Sequence, residues 1–289
     1  MKTHFNILFF ALLFSLGTRG GTLIEYSYES EVEIRKISSL NRISNKESVR
    51  YIKVEWSTKT KFPKQLLSFP NLKELVLMNC RLIEIPDEIS EFKKLHRLEF
   101  ITCAIQKISD SIGSLDSLEK LTITYSSFSS LPASCNKLVR LRELILRGNE
   151  SLSFDTVIYF ESLKKLELLN CKATKTLPYG IENLLELEWL AIGGTSINFE
   201  QELRRCENLK NLEYLDITYS ELKEIPESIF KIQSLKDLNL RGNDFTYFPP
   251  EIRKLYNLKK LHLAFNQSEI KRSDRELLKE ALPYCQIMY

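Results

Sequence analysis

The sequence predicts an α/β solenoid: one elongated coil whose turns each add a short strand to a single parallel sheet. The first observation is a period. Val49, Leu72, Leu95, Leu118, Leu141, Leu163, Leu187, Leu212, Leu235 and Leu258 recur at steps of 22 to 25 residues, most of them 23. The second is phase, because Leu72, Leu75, Leu77, Cys80, Leu82, Ile85, Pro86, Ile89 and Phe92 set a template. The unit from Leu212 (Leu215, Ile217, Ser220, Leu222, Ile225, Pro226) and the unit from Leu235 (Leu238, Leu240, Asn243, Phe245, Phe248, Pro249) repeat it. The third is the small residue that closes each strand: Ser57, Cys80, Cys103, Ser126, Asn149, Cys171, Thr195, Ser220, Asn243 and Asn266.

Each element follows from these. In L-x-x-L-x-L the apolar residues alternate at the end, so Leu75 and Leu77 point to one face while Glu74, Val76 and Met78 point to the other. A single unit of this size cannot enclose its own leucines, so neighbours must stack and bury them in one continuous core. Where the chain leaves the strand, buried backbone groups need partners, and the small, mostly polar column supplies them from rung to rung.

In its L-x-x-L-x-L-x-x-C-x-L-x-x-I-P-x-x-I pattern the chain resembles the leucine-rich-repeat family, in the 23-residue L-P-x-x-I form, over about residues 49 to 270. The resemblance implies a right-handed, curved horseshoe with the sheet on its concave face. It looks most like the secreted, stand-alone, bacterial-type members, and it implies a partner-binding role without chemistry.

The expected organisation is a signal peptide at 1–17, an N-terminal cap at 18–48, about ten repeats at 49–267 and a C-terminal cap helix and edge strand at 268–289. Met1-Lys2-Thr3-His4, the apolar run Phe5 to Leu16 and the small-residue exit around Gly17 describe a secretory leader. The run is shorter than the roughly 20 apolar residues of a spanning helix, so the expected location is secreted, cell-surface or periplasmic, with no integral span in the mature chain. At the other end Ser273 and Glu276 read as a capping box, Pro283 as a stop, and Cys285, Ile287 and Tyr289 as the last strand.

Several function classes are excluded. Net charge is +3, from 41 basic and 38 acidic residues without a basic block, which argues against nucleic acid. His96 and His262 would stand seven rungs apart, roughly 34 Å at about 4.8 Å per strand, so no Ser/His/Asp or Cys/His constellation assembles. Acid pairs such as Glu74 with Glu99, or Glu167 with Asp216, read as solvated surface charge. The six cysteines lack metal spacing and read as buried free thiols. Asn149-Glu-Ser151 and Asn266-Gln-Ser268 match a glycosylation pattern, but both asparagines take the inward place. No enzyme, metal or cofactor is expected.

Binding is therefore expected on the outward strand positions. Trp189 and Tyr214 would stand side by side, with Tyr219 at the strand end, Asp216 and Asp237 beside them, and Ala191, Gly193 and Gly194 leaving a hollow. Trp56, Val76, Met78 and Ile101 form a second apolar group. A protein or peptide is the first expectation, with carbohydrate stacked on Trp189, Tyr214 and Tyr219 as the alternative. The unit from Leu187 departs from the template, Asn198 and Gln201 reading as a helix start.

Overall fold

The computed structural model describes residues 24–28 by their backbone, and 30–35, 37–55, 60–154, 160–245, 247–266 and 270–289 in full. The leader, the start of the N-terminal cap and Trp56 lie outside the described residues.

A sheet of 13 strands runs the length of the coil. It opens with an antiparallel pair, Ile24–Tyr28 against Glu31–Ile34. From Glu31–Ile34 to Gln286–Met288 every pairing is parallel. The register is unbroken: Leu75 faces Leu98, Leu98 faces Leu121, and Leu190 faces Leu215. Parallel strands need crossovers, and here each crossover is the back of a repeat, in most cases a short 3-10 turn such as Asp87–Glu91 or Glu227–Lys231. A second, two-stranded sheet joins Glu84–Ile85 to Lys107–Ile108.

The leucines do line one interior. Leu75, Leu98, Leu121, Leu166, Leu190, Leu215 and Leu238 have no exposed surface and belong to a single continuous core. The backs contribute Ile89, Ile112, Ile181, Ile229 and Ile252, equally buried. The irregular unit carries an α-helix, Phe199–Arg204, capped by the Asn198 side chain, which accepts a hydrogen bond from the Gln201 N–H. Behind it the Glu202 carboxylate accepts from the Leu177 N–H at 2.9 Å and pairs with Arg205 at 2.8 Å. The C-terminal helix spans Arg272–Ala281. It starts two residues before the position read from the sequence: Lys271 is the cap, it makes no side-chain bond there, and Ser273 lies inside the first turn.

The small column works as a ladder. Asn149 donates to the carbonyls of Ile123 (2.7 Å) and Leu146 (2.6 Å) and accepts from the Ser126 N–H at 2.9 Å. Asn243 repeats this with Ile217 (3.0 Å), Leu240 (2.9 Å) and the Ser220 N–H (3.1 Å). With no exposed surface, Asn149 offers nothing to a glycosylating enzyme. Asn266 is half-buried, and its motif partner Ser268 lies outside the described residues.

All six cysteines are free thiols, five of them buried. Cys80 and Cys103 sit on neighbouring rungs with their sulfurs 2.6 Å apart. Burial pushes the Cys135 and Cys206 thiols up to about 12 and that of Cys171 up to about 11, against an ordinary 9.0. Because these folded values are raised, the stability they contribute is complete below pH 9.0 and lost as pH rises through 11 to 12. Titration of native protein with an alkylating reagent at pH 8 should leave these three unmodified until denaturant is added; fast labelling of Cys135 without denaturant would contradict its burial.

Candidate functional site

Three outward columns exist, but they are not equally open. The first runs in register through Glu74, Arg97, Lys120, Glu143, Lys165, Trp189, Tyr214, Asp237 and Lys260. All of these but the exposed Lys260 are half-buried. Most of the second column is crowded shut: Val76, Glu99, Thr122, Glu167, Ala191 and Asp216 are at most 6% exposed, while Ile145, Asn239 and His262 are half-buried. Long side chains from both neighbouring columns close over it, which a flat picture of the strand misses.

That closure changes the reading of the acids. Glu74 and Glu99 are not loose surface charge, because Arg97 bridges them at 3.2 and 2.9 Å, and Lys120 continues the chain from Glu99 (3.5 Å) to Glu143 (3.1 Å). Glu167 is held by Arg147 at 2.5 Å and by Lys165 at 3.7 Å. It does not meet Asp216, since Ala191 stands between them. The N-terminal half of the wall thus neutralises itself.

At the next rungs the character changes. Trp189 and Tyr214 stack face to face, ring centroids 3.4 Å apart and planes 11° from parallel. The Lys165 ammonium covers the other face of the indole at 4.5 Å from its centroid. Such a stack is worth about 0.5–1.5 kcal/mol beyond burial, and the cation about 0.5–1 kcal/mol more. The indole N–H is buried and has no hydrogen-bond partner among the described residues. The Tyr214 hydroxyl donates to Asp216 at 3.1 Å, and burial, helped by the Asp216 charge, pushes its pKa well above the ordinary value. Asp216 also accepts from Asn239 (2.8 Å) and the Thr218 N–H (2.9 Å). It is 5% exposed, so it positions its neighbours and does not itself form an open hydroxyl-binding surface. Asp237 lies 2.9 Å from His262 Nε2.

The predicted hollow is elsewhere. A side chain at Gly193 would strike the Thr218 backbone and one at Gly194 the Asn170 side chain, so these glycines permit close approach of rungs and leave no space. The open volume, a cavity of about 560 Å³, lies at the start of the strands, where Glu143, Lys165, Trp189, Tyr214 and Asp237 meet. Of the second apolar group, Met78 and Ile101 are register neighbours and half-buried, Val76 is buried, and Trp56 lies outside the described residues.

Tyr219 is 61% exposed and adopts a left-handed backbone, φ 49°. The equivalent Tyr125 and Phe265 do the same, at φ 51° and 60°. Sequence reading missed these two as candidates; their place seven residues after each repeat's first, shared with Tyr219, was the available signal. The Tyr125 and Tyr219 rings lie over Gly148 and Gly242 of the following rungs. Lys165 and His262 were missed too, for they read as ordinary polar wall, whereas Asn239 reads with Asp216 and Asp237 as a sugar-hydroxyl contact.

A family model described as leucine rich repeat matches residues 210–267. The human volume-regulated anion channel subunit LRRC8D is 31% identical over 127 residues, 42% of this chain and 14% of that one. The LRRC8E subunit of Xenopus tropicalis is 23% identical over 129 residues, 44% of this chain and 16% of that one. The match therefore spans well under a fifth of these curated relatives' length. Among solved structures, an internalin of Listeria monocytogenes (16% identity, 90% of this chain, 86% of that one) superposes with a TM-score of 0.57. A TDR receptor does so with 0.63 (22% identity, 90% of this chain, 45% of that one). These two likenesses concern the fold. Among the described residues no helix is long and apolar enough to cross a membrane, and no group of His, Cys, Asp and Glu is placed to hold a metal.

Proposed function

We propose that this leucine-rich-repeat protein is a non-catalytic binding module that holds a protein or peptide on its concave wall, centred on Trp189 and Tyr214. The observation that carries the reading is the ordered stack of those rings beside an open cavity, next to N-terminal rungs whose charges are paired among themselves. Rigid aromatics give contact area at little entropic cost. Tyr219, exposed at the strand end, extends the contact. Met78 and Ile101 are a lesser, more distant apolar patch. The apolar run from Phe5 to Leu16 supports a secreted or cell-surface setting.

Carbohydrate on the same rings is the second reading. Lys165 and Tyr214 cover both faces of Trp189, so a sugar would have to stack on Tyr214 or Tyr219 without the indole, which favours a protein.

The test is affinity capture from surface or secreted extracts with wild type and a Trp189→Ala/Tyr214→Ala variant of unchanged circular dichroism. A partner retained by the first and lost by the second is the expected result. Equal recovery of the same partner by both would remove this contact centre.

A further inference from the structure

Among the described residues the wall has an unfilled place for positive charge. Four carboxylates in the described core, Glu99, Glu167, Glu202 and Asp216, are each only 5% exposed. Three have an Arg or Lys partner: Arg97 and Lys120 on Glu99, Arg147 on Glu167, and Arg205 on Glu202. Asp216 has none among the described residues; its partners are a phenol, an amide and a backbone N–H. A buried charge without a counter-charge is costly, and a cation brought by a ligand relieves it.

An independent feature marks the same spot. The column Lys165, Trp189, Tyr214 has a cation on one end of an aromatic pair, and the next residue in register is Asp237. No cation of the described residues covers the far face of Tyr214, and neither Lys260 nor Arg241 forms an ion pair with Asp216 or Asp237. Among the described residues Asp237 pairs with His262 alone. A ring face, a half-buried carboxylate and a second carboxylate behind the ring's hydroxyl form a seat for a planar cation, and the cavity described above opens onto it.

We propose that this seat takes an arginine side chain of the protein partner, its guanidinium stacked on Tyr214 and bonded to Asp237, with Asp216 supplying the field behind it. Guanidinium is weakly hydrated, stacks on aromatic faces and bonds a carboxylate in a fork, which an ammonium cannot reproduce. The inference rests on the binding reading above and names the chemistry of the partner.

The probes are N-acetyl-arginine amide and its uncharged isostere N-acetyl-citrulline amide, titrated into full-length protein while the Trp189 indole resonance is followed by NMR. The arginine amide should give a saturable shift and the citrulline amide none. Asp237→Asn should weaken the arginine response about tenfold, the ratio expected when a hydrogen bond between charged groups is lost. Asp237 is half-buried on the wall, and asparagine keeps its shape and an oxygen for His262, so this variant should stay folded. Its failure to fold would shift the comparison to Tyr214→Leu, which should also weaken binding. Equal shifts from the two amides, no saturable shift from arginine, or undiminished binding by Asp237→Asn would each overturn the seat. Capture that depends on Trp189 while arginine and citrulline behave alike would leave the binding reading standing and remove this one.

Discussion

Asn149→Ala should lower the unfolding free energy by about 3–5 kcal/mol, because it orphans three buried backbone groups at roughly 1–3 kcal/mol each with partial relaxation. The side chain has no exposed surface and bonds the carbonyls of Ile123 and Leu146 and the N–H of Ser126, tying its own turn to the previous rung. Alanine replaces none of these, and the space left is enclosed by packed leucines. Each repeat touches only its neighbours, so the damage should be local in structure yet divide the coil's cooperative unfolding. Urea denaturation followed by far-UV circular dichroism measures it. Asn266→Ala is the internal control: the same column, but half-buried, with the expected loss nearer 1 kcal/mol. Equal losses at both positions would mean that burial does not set the size of the effect.

Gly193→Ala is the second large effect, and it joins fold to site. The added carbon would lie 2.5 Å from the Thr218 backbone nitrogen, and backbone cannot swing away as a flexible side chain can. The two rungs forced apart are those that carry Trp189 and Tyr214, whose centroids are 3.4 Å from each other. Overpacking of this kind costs about 1–3 kcal/mol. The upper end is expected here, together with loss of the ring stack. Near-UV circular dichroism should show the tryptophan band weakened, and partner capture should fall even in the fraction that remains folded. A variant with wild-type melting and an unchanged aromatic band would show that the rungs adjust without strain.

The difference between what sequence did and did not reveal has a physical pattern. Period and phase specify which side chains share an interior, so Leu75, Leu98, Leu121 and their counterparts were placed by counting alone. So were the register neighbours Trp189 and Tyr214, the ladder asparagines and the helix start at Asn198. Counting does not reveal how far a side chain bends once it has left the strand. Asp216 and Glu167, outward by parity, were closed over by their neighbours. Lys165 turned onto the indole because its own carboxylate partner is shared with Arg147. Gly193 and Gly194 suggested room, whereas the missing side chains had already been used to bring two rungs together. Parity is a one-dimensional rule, and the site is made by contacts across three or four rungs.

The left-handed turns bear on how this surface can change. A bulky aromatic at φ 49° to 60° is held against its own backbone preference, at about 1–3 kcal/mol. Glycine at Tyr125, Tyr219 or Phe265 would relax the main chain and at the same stroke erase the ring that protrudes into solvent. Thermal robustness and reach therefore pull in opposite directions along the rim of the horseshoe, and engineering for heat tolerance at these three positions would blunt whatever the rim touches.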